Sequence, residues 1–339
     1  MRFDEFDLYA IVADIGGTFA RFSRVRLDTL VIDTIQIYSC AEYSSLESVL
    51  LAYQRKHGLE HISQVAIAIA CPVLGDEIFM TNAHWQFSIN ELQQKLGLSE
   101  LLVLNDFNAI AMSLPELSES ELVQFGQGIV DKNKTRVVLG AGTGLGVAHL
   151  VPQNQSYIAY GGEGGHVSWG AKTEQEWFIA CYLNKIYGHV SYERLLSGQG
   201  LENLYRALAA FHQQAESPLP AAQIVALALA GESVVAGATV AQFLAILGAY
   251  AGDLALIFAA FGGVYIAGGI VPRLLSLMNQ SDFRIRFEEK GRFSSFNAQI
   301  PTYVITAKQP GILGAAVHLK QRLQHQIERV RKGDQDVIF

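Results

Sequence analysis

Two glycine-rich segments, Ala13-Asp-Ile-Gly-Gly-Thr18 and Gly140-Ala-Gly-Thr-Gly-Leu-Gly146, hold the first residues able to do chemistry. Each combines bare backbone, Gly16 and Gly17 in the first and Gly142 and Gly144 in the second, with one hydroxyl residue, Thr18 or Thr143. Successive main-chain N–H groups in a tight turn form a concave anion site, and a missing Cβ lets phosphate come close. Either segment alone also reads as an ordinary hairpin turn, where glycine is common; two of them in one chain favour phosphate. Neither follows the usual nucleotide fingerprints. A GxGxxG turn runs from strand to helix and a GxxxxGK[ST] loop needs Gly-Lys-Ser/Thr, whereas both segments run from strand to strand and the chain has no such triplet. Asp14 ends the strand before the first turn, where its carboxylate suits a phosphate-bound Mg²⁺, reached through water because Mg²⁺ dehydrates reluctantly. Capping its own turn is the plainer role for the same residue.

A second group suits a hydroxyl acceptor. Asn105-Asp106 closes the short apolar run Leu101 to Leu104. Phosphoryl transfer to an alcohol needs one carboxylate to accept the hydroxyl proton, and Asp106 is the candidate, with Asn105 orienting the acceptor. A helix N-cap before Phe107 is the structural alternative for Asp106. Glu163 and His166 stand in Gly161-Gly-Glu-Gly-Gly-His166 without helical period, and a carboxylate beside an imidazole matches neighbouring hydroxyls of a polyol. Glu193 follows Ser191 at a helix start; taken locally, it reads as a first-turn acid.

The elements that must position these residues are legible. Tyr9–Asp14 and Ala20–Val25 flank the first turn as a hairpin, and Arg136–Leu139 and Val147–Val151 flank the second. The pattern predicts a helix from about Ser44 to His57 ended by Gly58, a strand over Val65–Ala70, and a helix opened by the capping signature Ser88-Ile-Asn-Glu91 and closed near Gly97. Helices dominate Glu174 to Phe261, then come strands between Gly262 and Gly269 and over Ile300–Thr306, and a terminal amphipathic helix over Gly311–Val330. Two halves that each begin with a glycine hairpin suggest a duplicated α/β domain with a cleft between the copies, ligands lying beyond the carboxyl ends of the strands. The polar stretch after Leu114-Pro115 marks the crossing, so the expected division is 1–115 plus 307–325, then 116–306, with a tail over 326–339.

Bulk properties narrow the classes. With 339 residues, the chain exceeds what one core usually serves. Its net charge of −7, without a dense basic segment, disfavours nucleic acid. Cys40, Cys71 and Cys181 are scattered, as in a reducing, cytoplasmic setting without a zinc site. Val234–Phe261 is apolar apart from Thr239, Gln242 and Asp253, but it lacks flanking Lys or Arg and is broken by glycines, so it reads as a buried helix rather than a membrane span.

Taken together, from about Leu8 to Gln324, the ordered motifs resemble the bacterial glucokinases, ATP-dependent sugar kinases of the actin and hexokinase superfamily. The resemblance lies in Asp14-Ile-Gly-Gly-Thr-Phe-Ala-Arg21, Met80-Thr-Asn-Ala-His-Trp85, Asn105-Asp-Phe107, Gly140 to Leu150, Gly162-Glu-Gly-Gly-His-Val167, His189 to Gly198, Phe261 to Arg273 and Pro310-Gly-Ile-Leu-Gly314. It implies a duplicated actin-like (ribonuclease H-like) ATPase fold, with two domains flanking a cleft, usually as a homodimer. It further implies that Asn105, Asp106, Glu163, His166 and Glu193 bind glucose, with Asp106 as the base. Ala13, Asp14, Ile15, Gly16, Gly17 and Thr18, with Gly142, Thr143 and Gly144, would hold the phosphates of ATP. Gly268 and Gly269 would hold the adenosine, and Asp14 the Mg²⁺ through water. Three positions depart from the family pattern: Phe19 where a small polar Asn is usual, Ala13 for Gly, and Gln199 for Pro. The first bears on phosphate contacts and donor preference. A kinase of the same fold for another hexose stays open. A repressor on this fold is expected to carry a helix-turn-helix ahead of the first hairpin and clustered cysteines, and a sugar-sensing pseudoenzyme to lack the base.

Overall fold

A computed structural model describes residues 8–80, 85–214 and 217–332. The chain divides into two compact units: the described residues of Met1–Leu117, Gln153–Ala159 and Lys308–Phe339 form one, and those of Ser118–Pro152 and Tyr160–Ala307 the other.

The first unit opens with β1 (Tyr9–Ile15), β2 (Phe19–Arg26), β3 (Val31–Ser39), α1 (Leu46–His57), β4 (Gln64–Ile69), the pair β5 (Glu77–Met80) and β6 (Trp85–Ser88), α2 (Ile89–Lys95), β7 (Glu100–Asn105) and α3 (Asp106–Ser113). Its main sheet has the order β3-β2-β1-β4-β7. Strands β1, β4 and β7 are parallel, and β2 is antiparallel to β1 and β3. Next along the chain come β8 (Leu122–Phe125), β9 (Arg136–Ala141), β10 (Leu145–Gln153), β11 (Ser156–Gly162), α4 (Glu174–Tyr187), α5 (Gly198–Phe211), α6 (Ala221–Ala230), α7 (Val234–Phe258), β12 (Val264–Ala267), the short helices α8 (Leu275–Met278), α9 (Phe283–Glu288) and α10 (Ser294–Ala298), and β13 (Thr302–Ile305), all in the second unit except Gln153 of β10 and Ser156–Ala159 of β11. The second sheet runs β11-β10-β9-β12-β13-β8. The five strands from β11 to β13 repeat the plan of the first sheet: a glycine hairpin joined to parallel strands. The chain ends in α11 (Pro310–Lys332), back in the first unit.

Strand alternation explains how each sheet is covered. In β1, Ile11, Ala13 and Ile15 face Leu46, Val49, Leu50 and Tyr53 of α1. Ala10 and Val12 face Ile312, Ala315, Ala316 and Leu319 of α11. With helices on both faces, every residue of β4 is buried, which is why Val65-Ala-Ile-Ala-Ile69 reads as a continuous apolar run. A complete capping box opens α1, Ser45 Oγ accepting from Ser48 N–H and Ser48 Oγ from Ser45 N–H, and Gly58 closes it at φ 66°. Ser88 caps α2 by accepting from Glu91 N–H.

Several boundaries differ from the sequence reading. Gln153–Ala159, expected within the second domain, clusters with the first unit, where Gln321 of α11 grips the Tyr157 backbone: Oε1 accepts its N–H at 2.9 Å and Nε2 donates to its carbonyl at 2.8 Å. The expected tail from 326 is still helical as far as Lys332, because Glu100 at the start of β7 binds both Arg322 and Gln326. Gly333–Phe339, and Thr81–His84 within the motif Met80–Trp85, lie outside the described residues. Helix α7 is long and apolar enough to cross a membrane by length and composition, yet 72% of its most apolar stretch is buried inside the unit. That is the core helix expected of it.

Candidate active site

In the first unit, the parallel strands β1 and β7 carry Asp14 and Asp106 at their carboxyl ends. Asp14 pairs across the hairpin with Arg21, whose guanidinium lies 3.6 Å from the carboxylate. Desolvation raises the Asp14 pKa and Arg21 opposes it. The carboxyl carbon of Asp14 also lies 3.5 Å from where a Cβ of Gly311 would stand, so the first turn of α11 lies against it.

Asn105, not Asp106, caps α3. Its Oδ1 accepts from Phe107 N–H at 2.9 Å and from Asn108 N–H at 3.3 Å, while its Nδ2 donates to Asp106 Oδ1 at 2.9 Å and to the Cys71 carbonyl at 3.2 Å. Asp106 therefore stands in the first helical turn, held from both sides: its Oδ1 also accepts from Phe107 N–H at 2.9 Å. Burial pushes its pKa up to about 6; the Phe107 hydrogen bond lowers it, and the charge of Asp14 raises it.

The glycine turns separate by what their glycines do. Gly16 N–H closes the first hairpin on Phe19 O at 3.0 Å, and Cys40 N–H donates to Thr18 O. Gly17 lies between these two anchored residues, half-buried in the bend that joins β1 to β2. Gly16, Gly17 and Gly142 lack the left-handed φ that demands glycine. An added Cβ would come no nearer than 3.8 Å to another residue at Gly16, and would meet nothing within 4 Å at Gly142. The protein alone does not require glycine at Gly16 or Gly142. Both positions are open, as a phosphate cradle would need. Gly17 shares the turn with Gly16 and, like it, has only backbone to offer. Gly269 is equally open, whereas Gly268, at φ 88°, packs against the Ala141 backbone, where a Cβ would collide. Thr18 and Thr143 are exposed, and the side chains of Ala13 and Ile15 point into the core, leaving only their backbone for a ligand. Phe19 is 57% exposed, and the hairpin uses its carbonyl rather than its ring.

The second unit brings Glu163, His166 and Glu193 together. His166 Nε2 lies 3.9 Å from Glu163 Oε2, and His166 Nδ1 lies 4.0 Å from Glu193 Oε1, near but beyond hydrogen-bond length. Both bearing segments are single 3₁₀ turns, Gly164–His166 and Tyr192–Arg194. They are strapped together by Tyr192 N–H to Val167 O at 3.2 Å and Trp169 N–H to Val190 O at 2.9 Å. Glycine is obligatory in the first turn, since a Cβ on Gly165 would strike the Leu145 carbonyl. Glu193, read locally as a helix-start acid, sends Oε2 to accept from Leu145 N–H at 2.9 Å, joining this turn to the second hairpin. Gly144 makes that possible, because a Cβ there would stand 2.6 Å from the same oxygen. Sequence reasoning missed Arg21, for which hairpin register was the available signal, and the neighbourhood of Cys71, whose thiol is raised by burial and then by the charge of Asp106. Among the described residues, no group of three or more His, Cys, Asp or Glu is arranged to hold a metal.

The two sheets share one plan, a glycine hairpin feeding parallel strands, with Asp14 and Asp106 at the carboxyl ends of the first, and together have the actin-like ATPase fold found in sugar kinases. The family model described as Glucokinase matches residues 11–322. The glucokinase of Photorhabdus laumondii is 44% identical over 317 residues, covering 94% of this chain and 98% of that one. The crystal structure of glucokinase from an Antarctic psychrotroph superposes with a TM-score of 0.86 at 37% identity, over 94% of this chain and all of that one. A ROK family glucokinase from Streptomyces griseus, solved with glucose and AMPPNP, shares the fold at 18% identity and TM-score 0.62, over 92% and 99% of the two chains. The chain belongs to the glucokinase family.

Proposed function

We propose that this protein transfers the γ-phosphoryl group of ATP to the 6-hydroxyl of glucose, with Asp106 as general base. The observation that carries the reading is the Asp106 carboxylate, lifted to about 6 at the carboxyl edge of a parallel sheet and fixed by Asn105 and Phe107. A base with that constant is ionised at neutral pH, yet keeps more proton affinity than a free carboxylate. As glucose O6 forms its bond to the γ-phosphorus, the bond from that phosphorus to the β–γ bridging oxygen breaks, the hydroxyl proton passes to Asp106, and ADP leaves. Asn105, its amide already committed to Cys71, Asp106 and the helix cap, serves the sugar chiefly by holding the base. Glu163, His166 and Glu193 engage other hydroxyls, the gaps of 3.9 and 4.0 Å around His166 leaving its ring nitrogens available to them.

The backbone from Asp14 through Gly16 and Gly17 to Thr18, and from Gly142 to Gly144, cradles phosphates. The open faces of Gly16 and Gly142 support this reading, and Gly268-Gly269 takes the adenosine. If Mg²⁺ accompanies the nucleotide, Asp14 would hold it through water and it would supply charge neutralisation; a single carboxylate suits an ion that keeps most of its waters. We extend the reading to a cytoplasmic location, with which three free thiols accord, and to a homodimer, for which Trp177, Phe178 and Cys181 on one exposed face of α4 are the candidate contact. A coupled assay with ATP and Mg²⁺ over glucose, mannose, fructose and N-acetylglucosamine tests the function: glucose gives the highest kcat/KM, and a clear preference for another sugar overturns the assignment.

A further inference from the structure

Helix α7 contains one charged residue, Asp253, in a span otherwise polar only at Thr239 and Gln242. The Asp253 side chain is 42% exposed, yet its carboxylate oxygens are turned to a largely buried lysine and a buried tyrosine. Its carboxylate holds two partners. Lys290 Nζ, on a side chain 11% exposed, binds Oδ1 at 2.6 Å and also donates to the Ala249 carbonyl at 2.8 Å. Tyr192 Oη donates to Oδ2 at 3.1 Å. Gly252 is small enough to admit the Lys290 stem, since a Cβ there would stand 2.6 Å from its Cε.

Tyr192 is the residue before Glu193. Its ring is buried and stacks on Tyr250 with centroids 4.0 Å apart and planes at 22°. Tyr250, itself buried, directs a hydroxyl without a partner among the described residues to within 2.7 Å of where a Gly164 Cβ would stand. Both turns bearing the acid–imidazole group thus rest on one buried platform: the Tyr192–Arg194 turn through the phenol of Tyr192, and the Gly164–His166 turn on the phenol of Tyr250. Burial, followed by the charge of Asp253, raises the phenol pKa of Tyr192, so it stays a neutral donor.

We propose that Asp253, held by Lys290, is a positioning residue for sugar binding: it anchors the Tyr192 phenol and thereby sets the place of the Glu193 carboxylate. The inference rests on the reading of Glu193 as a sugar ligand. Tyr192→Phe keeps the ring stack and removes only the hydrogen bond. One hydrogen bond to a charged group is worth about tenfold in an equilibrium constant. The test measures KM for glucose, KM for ATP, kcat and the melting temperature for Tyr192→Phe, Asp253→Asn and Glu193→Gln. The proposal expects KM for glucose to rise about tenfold in Tyr192→Phe, with KM for ATP and kcat within about twofold. Asp253→Asn, whose amide oxygen still accepts from the phenol, stays closer to the parent. Asp253→Ala, which takes the acceptor away, adds little when combined with Tyr192→Phe, because both act on one bond. If Glu193→Gln raises KM for glucose while Tyr192→Phe leaves it unchanged, the positioning role is overturned and the sugar site stands. If Glu193→Gln leaves it unchanged as well, the sugar role of Glu193 falls, and this inference with it. If Tyr192→Phe lowers the melting temperature and weakens both substrates alike, the network serves folding alone and the proposal is overturned.

Discussion

At the scale of residues, the site depends on carboxylates given different environments. Asp106 is recessed, faces the charge of Asp14 and rises to about 6, whereas Glu163 stands out in solvent with 70% of its side chain exposed. The first suits proton transfer and the second hydrogen bonding. A base that must be ionised makes kcat/KM fall as pH drops through about 6, with limiting slope one; a profile flat down to pH 5 would contradict the assignment. The same shift has a consequence for stability. The native carboxyl holds its proton more tightly than the unfolded one, so its stabilisation is complete below about pH 4 and lost as pH rises through about 6. Asp106→Asn is therefore expected to melt higher than the parent at pH 8, while at pH 4 the two converge. Glu163→Gln keeps shape but removes the charge, and should raise KM for glucose about tenfold with kcat little changed, as measured by steady-state kinetics. The candidates were legible from residue types, an acid between glycine pairs and an Asn-Asp pair ending an apolar run, the pair having a helix cap as its structural use. The part played by Asn105 was not, since which of two adjacent side chains caps a helix depends on backbone angles that neither spells out. Glu193 was least legible, because its hydrogen bond to Leu145 spans 48 positions.

At the scale of elements, identical glycine letters do opposite work. A Cβ at Gly314 would collide with the Ala109 carbonyl where α11 crosses α3, while at Gly142 it would meet nothing. Gly314→Ala should thus cost about 3 kcal/mol or more of stability, as overpacking of a rigid backbone contact does. Gly142→Ala should leave the melting temperature nearly unchanged and raise KM for ATP. Thermal melts and ATP kinetics on both variants check the pair; a strongly destabilised Gly142→Ala would mean that this turn is structural after all. Both hairpins, α1 and the buried strands β4 and β7 were readable because period and turn chemistry agree there. Strand β3 was not: Val31-Ile-Asp-Thr-Ile-Gln-Ile-Tyr-Ser39 is an edge strand without a buried residue, so burial imposes no strict alternation on it. Strand β8 has four residues and gains its place only by pairing with β13, a partner 177 positions away at Phe125 and Thr302.

At the scale of the whole molecule, the net charge of −7 and the glycine-rich turns fit the proposal that backbone, rather than a basic surface, holds the phosphates. The duplicated plan was visible in the two hairpins. The crossing back of Gln153–Ala159 was hidden, since one glutamine of the last helix grips the backbone of Tyr157 in β11, far away in sequence. A specific ligand stabilises what it binds, so glucose at about 100 times its Kd should add about 3 kcal/mol and raise the melting temperature by several degrees. Galactose at the same concentration should do much less, and equal shifts would argue against a glucose site. The central claim is that one carboxylate takes the proton of the acceptor hydroxyl, and the most direct measurement is the turnover of Asp106→Ala alongside its glucose affinity. The account predicts kcat lower by about 10²–10⁴ or more with glucose still bound. A variant that turns over like the parent would contradict it.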